Sequence, residues 1–209
     1  MGENKKANDQ NNEFFDRMLS EHSDEHRIVG QSEISHMKRF KKILELGNFR
    51  GCSLLDVGCG IGGFLDFLLS KNIACEYYGV DINVNMISEA KERHPAIAKS
   101  FFLHDILEKP IGRSYDYIVS VGPLNLDFGA GINIEMTMRM IRAMYDMCHL
   151  GMAISMTSRL TARPHEGTFY YDSKIIYAQT IDFCQNVRLD HTYLPHDFTI
   201  FCYKQDLYS

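Results

Sequence analysis

The chain has no tryptophan, only five prolines in 209 residues, and no stretch of the roughly 18 consecutive apolar residues that a membrane span requires. Its first dozen residues are polar and hold no apolar core of a signal peptide, so the expected compartment is the cytoplasm and no membrane partner is expected. An excess of positive charge is also missing. With 22 Lys and Arg against 27 Asp and Glu, the formal charge is −5, which excludes a global electrostatic grip on nucleic acid or anionic lipid. The six cysteines (Cys52, Cys59, Cys75, Cys148, Cys184 and Cys202) contain no CxxC and no short paired spacing. Most lie inside apolar runs, so they read as reduced core residues rather than zinc ligands or a disulfide framework.

What is present suits one globular domain: 45% of residues are apolar and 23% charged. Residues 1–12, rich in Asn, Lys, Asp and Gln and lacking apolar periodicity, are expected to form a mobile tail, leaving 13–209 as a single domain. From Ser32 to Leu46 the apolar residues recur at three-to-four spacing, with Ser32 placed as an N-cap and Gly47 as a stop, which predicts an amphipathic helix. Lys38, Lys41 and Lys42 read as its solvated face. After Gly51, short apolar runs alternate with helical spacings. Strands are expected at 53–57, 76–80, 99–103, 115–121 and 152–156, and helices at 63–70, 84–93 and 134–148. This alternation predicts an α/β fold, a doubly wound and mostly parallel sheet covered by helices on both faces. The C-terminal part departs from it: after a helix at 172–186, the runs 187–193 and 198–204 are separated by only Leu194 to Asp197. A parallel crossover cannot be that short, so an antiparallel hairpin is expected.

The most informative segment is LLDVGCGIGGF, Leu54 to Phe64, which sets glycines between a buried strand and a helix. Gly58, Gly60 and Gly63 satisfy GxGxxG, a weak dinucleotide signal; Asp56, Gly58, Gly60 and Gly62 satisfy the more demanding DxGxGxG. Asp56 suits a cationic amine better than a pyrophosphate. Asp81, at the end of the next strand, has the spacing of a ribose-binding acid whose two oxygens accept two hydroxyls. Asp105 follows the third strand and is placed to accept an adenine amino proton, with Ile82 and Ile106 on either side of the ring.

With these residues in hand, the sequence resembles the class I S-adenosylmethionine-dependent methyltransferases. LLDVGCGIGGF is similar to their first motif, YYGVDIN to the acidic second, LHDI to the adenine-side motif and YDYIVSVGPLN, with Val121, to the fourth. The resemblance implies a seven-stranded Rossmann-like sheet ending in the antiparallel hairpin, S-adenosyl-L-methionine as cofactor, and a helical lid over residues 13–47. It also implies that Arg39, in an Arg-Phe pair, holds the cofactor carboxylate. One departure is plain: nine residues separate Asp105 from Tyr115, so the helix usual before the fourth strand must be a turn or absent.

The loop after the fourth strand lacks the Asn/Asp-Pro-Pro-aromatic sequence of exocyclic-amine nucleic-acid methyltransferases and the Pro-Cys nucleophile of pyrimidine C5 enzymes. A nucleic-acid acceptor is therefore not expected, nor is a metal. The reading is methyl transfer to oxygen or nitrogen of a small polar metabolite. His196, in the hairpin turn, and His165, in the loop after the fifth strand, are the candidates for removing a proton. A non-catalytic S-adenosylmethionine-binding regulator or scaffold and an NAD-dependent oxidoreductase are the alternatives. The oligomeric state is left open.

Overall fold

Consecutive residues of the central strands are buried against opposite layers, which is why those strands read as unbroken apolar runs rather than alternating ones. Leu54, Val119, Ala153 and Phe201 pack with one apolar cluster, and Leu55, Ile118, Met152 and Ile200 with the other. The structure, a computed structural model, describes residues 2–30 and 32–204. Its elements run α1 (Gly2–Glu21), α2 (Glu25–Ile28), α3 (Glu33–Ile43), β1 (Ser53–Val57), α4 (Gly63–Ser70), β2 (Glu76–Asp81) and α5 (Val84–Arg93). They continue β3 (Phe101–Leu103), β4 (Tyr115–Val121), α6 (Ala130–Met147), β5 (Cys148–Thr157), α7 (Ser173–Ile181), β6 (Val187–Asp190) and β7 (Asp197–Tyr203). The seven strands form one sheet in the order β3-β2-β1-β4-β5-β7-β6. The first five are parallel, and β7 runs antiparallel between β5 and β6. No helix connects β3 to β4; residues 104–114 are turns and irregular backbone.

The layers follow from side-chain shape and charge. Met136, Met140, Met144 and Met147 of α6 pack with Met152 and Met156 of β5, so the methionines fill the core. On the other layer Phe40, Phe64 and Phe67 meet with ring centroids 5.2 to 6.2 Å apart, fixing α3 against α4. Ser32 caps α3 by accepting the Ser35 N–H at 3.2 Å. Lys42 is not on a solvated face: it is 8% exposed and donates to Glu45 at 2.6 Å and Asp190 at 3.0 Å. Burial alone would lower its pKa, but these two carboxylates outweigh burial and raise it.

The segment 1–12 corrects the expectation of a mobile tail, because residues from Gly2 onward belong to α1. The first half of the helix is held largely through amides, whereas Phe15, Met18 and Leu19 of its second half pack against Ile28, Ile61 and Met86. Asn8 donates to Asp105 at 2.8 Å, and Asp16 accepts from Asn83 at 2.8 Å and Asn85 at 2.9 Å, while Ala7 and Asn11 are buried. Polar side chains that dock by hydrogen bonding leave no apolar periodicity to read.

Candidate active site

The turn from β1 into α4 has Gly58 at φ +73° and Gly60 at φ +53°. Both are in left-handed backbone that side chains with a Cβ rarely adopt. The Gly58 and Cys59 amides donate to the Val80 carbonyl at 2.8 and 3.0 Å, which ties the turn to the end of β2. The Asp81 carboxylate completes the tie by accepting the Gly60 N–H at 3.0 Å on one oxygen and the Asn83 N–H at 2.9 Å on the other. Burial raises the Asp81 pKa, against the lowering effect of the Asn83, Gly60 and Ile82 amides. A Cβ built on Gly60 meets nothing within 4 Å, so the space before it is open cavity rather than packed protein.

That cavity has a volume of about 490 Å³. Asp81, Ile82, Asp105 and Ile106 line it at the ends of β2 and β3; Arg39, Gly58, Gly60 and Val121 line its middle; His165 and His196 line it on the β5 and β7 side. Ten of the residues singled out from sequence thus share one wall. Two do not. Asp56 is 2% exposed and absent from the wall, and its carboxylate accepts the Tyr77 hydroxyl at 2.7 Å, so a direct contact with a bound amine is replaced by bracing of β1 on β2. Gly62 stands behind the wall, where a Cβ would come within 2.7 Å of His94 Nε2.

Arg39 lies on α3 and is 3% exposed. Its Nε donates to Asp197 Oδ2 at 2.8 Å and its Nη2 to Oδ1 at 2.6 Å, a two-point pair with an acid that is itself fully buried. Its remaining nitrogen, Nη1, is buried without a hydrogen-bond partner and faces Gly122 beside the cavity. His196 precedes Asp197, with Nε2 3.8 Å from Asp197 Oδ2, and its carbonyl accepts the Ser158 N–H at 2.8 Å. His165 is exposed at the cavity rim, and its backbone N–H donates to the Tyr170 hydroxyl at 2.9 Å. Asp105 accepts the Leu107 N–H at 2.7 Å in addition to Asn8.

Sequence reasoning missed the α1 residues Asn8 and Asn11 on the cavity wall and Asp197 as the partner of Arg39. A signal existed for the last. An acid opening a strand of mostly apolar residues must be matched by a cation when buried and charged. Among the described residues no group of three or more His, Cys, Asp or Glu side chains is placed to hold a metal ion, and no helix is long and apolar enough to cross a membrane.

Comparison with known proteins agrees with this geometry. Residues 55–136 match the family described as a methyltransferase domain. A Mycobacterium tuberculosis protein named only as a methyltransferase is 29% identical over 163 residues, 73% of this chain and 93% of that one. Phosphoethanolamine N-methyltransferase 1 of Arabidopsis thaliana is 41% identical over 70 residues, 32% of this chain and 14% of the plant protein. Among solved structures, the N-methyltransferase NodS of Bradyrhizobium japonicum, in complex with S-adenosyl-L-homocysteine, superposes with a TM-score of 0.67 at 15% identity. That match covers 94% of this chain and 99% of NodS. The magnesium protoporphyrin IX methyltransferase of Synechocystis, with bound S-adenosylmethionine, gives a TM-score of 0.59 at 16% identity over 86% of this chain and 81% of its own. These two likenesses are of fold. Taken with the sequence matches, they show a chain with the fold of these methyltransferases whose residues 55–136 match a methyltransferase domain.

Proposed function

We propose that the protein transfers the methyl group of S-adenosylmethionine to an oxygen or nitrogen of a small polar metabolite. The observation that carries this reading is the single cavity of about 490 Å³ that joins the carboxylates at β2 and β3 to the histidines beside β5 and β7. Its size lies in the range of roughly 300–1,000 Å³ typical of small-molecule sites, which supports a metabolite rather than a nucleic acid as acceptor.

The residues present fit the cofactor. The orphaned Arg39 Nη1 is a buried donor without a protein acceptor, which a carboxylate supplies, and the open space before Gly60 is a cradle that a Cβ would fill. When bound, S-adenosylmethionine supplies an electrophilic methyl on a sulfonium. Asp81 would hold the two ribose hydroxyls, Asp105 the adenine amino group between Ile82 and Ile106, and Arg39 the carboxylate. Val121 would line the methionine portion. Asp56 acts indirectly, through Tyr77 and β2. His196 is placed to take a proton from the acceptor, and His165 to orient the acceptor or substitute in that role.

Asp81→Ala is expected to weaken S-adenosylhomocysteine binding at least tenfold, since losing a two-hydroxyl acceptor costs roughly 1.5–3 kcal/mol. Calorimetric titration checks this, and unchanged affinity would remove Asp81 from the ribose. Gly60→Val is expected to abolish measurable binding while far-UV circular dichroism stays native, because the branched side chain enters the cradle from strained backbone. A folded variant with normal affinity would place the cofactor elsewhere. The acceptor class is tested by following S-adenosylhomocysteine release against a panel of metabolite alcohols, acids and amines. Turnover confined to nucleic acid, or absent from the whole panel despite intact cofactor binding, would overturn it.

A further inference from the structure

The wall of the cavity is electrostatically divided. Among the described residues its carboxylates are Asp81 and Asp105, both at the ends of β2 and β3, and both already accepting backbone amides. The opposite side carries Arg163, His165 and His196, with hydroxyls from Thr161, Thr168 and Tyr170 and no acid. Arg163 is exposed at the rim and, among the described residues, has no ion-pair partner. Arg159, four residues earlier in the same loop, is held by Asp172 at 2.7 Å. The two arginines therefore differ in kind: one braces the loop, and the other presents an unused guanidinium to the cavity.

The loop that carries Arg163 is built rather than loose. The Thr157 hydroxyl donates to the Phe169 carbonyl at 2.6 Å, the Phe169 N–H to the Asn125 carbonyl at 2.8 Å and the Asp127 N–H to the Gly167 carbonyl at 2.9 Å. The first bond closes the two ends of the loop on each other, and the other two fasten its C-terminal end to the segment after β4. Pro164 further restricts the backbone of Arg163 toward extended conformations. The Tyr170 hydroxyl accepts the His165 N–H and the Thr161 hydroxyl accepts the Arg163 N–H, so both oxygens keep their own protons free to donate.

We infer that the acceptor carries an anionic group, a carboxylate or a phosphorus oxyanion, seated between Arg163, His165 and the Tyr170 hydroxyl. This rests on the methyl-transfer reading above and names the chemistry of its acceptor. A planar guanidinium with several donors in a fixed fork matches either oxyanion by paired hydrogen bonds. A cationic group at the same position meets an arginine and no acid. His196 then lies on the cofactor side of the anchor and is free to face the atom that receives the methyl.

The test uses protein saturated with S-adenosylhomocysteine, titrated calorimetrically at constant ionic strength with methylphosphonate, acetate and neutral acetamide. One or both anions are expected to bind measurably tighter than acetamide, and the better of the two names the source of the charge. Arg163→Gln is expected to weaken that anion at least fivefold with S-adenosylhomocysteine affinity within twofold of wild type, whereas Arg142→Gln, on the exposed ion pair of α6, changes neither. Arg163→Lys, which keeps the charge but loses the fork, falls between them. Equal affinity for acetamide and both anions, or an Arg163→Gln protein that binds the anion as wild type does, overturns the inference while S-adenosylhomocysteine binding persists. Failure of the wild type to bind S-adenosylhomocysteine sinks the cofactor site and the inference together.

Discussion

Asp197→Ala is expected to lower the unfolding free energy by about 3–5 kcal/mol, the cost of stranding a buried charge whose partner is removed. For a chain of this length, where each kcal/mol shifts the melting temperature by roughly 2–4 °C, Tm should fall by on the order of 10 °C. The magnitude follows from desolvation: Arg39 and Asp197 have 4% and 0% of their side chains exposed, so water cannot replace the lost carboxylate. The paired change Arg39→Met with Asp197→Leu is expected to recover most of the stability, because apolar replacement of a whole buried pair is near neutral. It should not recover S-adenosylhomocysteine affinity, since no donor then remains for the carboxylate. Denaturant unfolding measures the first quantity and calorimetry the second. A single variant within about 1 kcal/mol of wild type would mean that the pair is not desolvated in solution.

His196→Ala is expected to lower kcat by roughly 10²–10⁴ while leaving S-adenosylhomocysteine affinity within about threefold, the pattern of a lost proton acceptor rather than a lost binding group. A histidine serving only the turn would instead reduce Tm and spare kcat, and its backbone bond to Ser158 survives substitution by alanine. His165→Ala, compared in the same assay, separates proton removal from orientation: loss of KM without loss of kcat assigns orientation. If neither variant loses more than tenfold in turnover, the proton leaves to solvent or to another group.

The bounds of β1, β4, α4 and α5 agree residue for residue with the sequence expectation. Each is marked by a strong local device: a glycine turn after β1, the Asn83 side chain capping α5 through the Asn85 and Met86 amides, and two-sided apolar runs in the strands. The wall residues at the ends of β1 to β4 were legible for the same reason, since a strand's end fixes which side chains reach the sheet's upper edge. The less local the interaction, the less of it could be read. Asp56 carries a motif-level signature, but its orientation depends on Tyr77 across the strand pair, which no single-strand pattern encodes. Lys42 reads as one cation in a basic run because Asp190, the more distant of its two partners, lies 148 positions away. The first half of α1, up to residue 12, does not register as helix because its docking relies on asparagines, residues whose usual message is loop.

The strand order has a consequence for synthesis. β7 is the last of the described strands in chain order, yet it occupies an interior position, with β5 on one side and β6 on the other. Until residues 197–203 leave the ribosome, β5 presents an unpaired apolar edge and β6 has no neighbour at all. N-terminal segments of this chain can collapse early, but the sheet cannot close vectorially. Arg39, made 158 residues before its carboxylate partner, waits through the same interval. Nascent chains stalled before β7 therefore carry an open strand edge next to an unmatched cation that is destined for burial. That state invites edge-to-edge association and chaperone capture, and emergence of residues 197–203 ends it in one step.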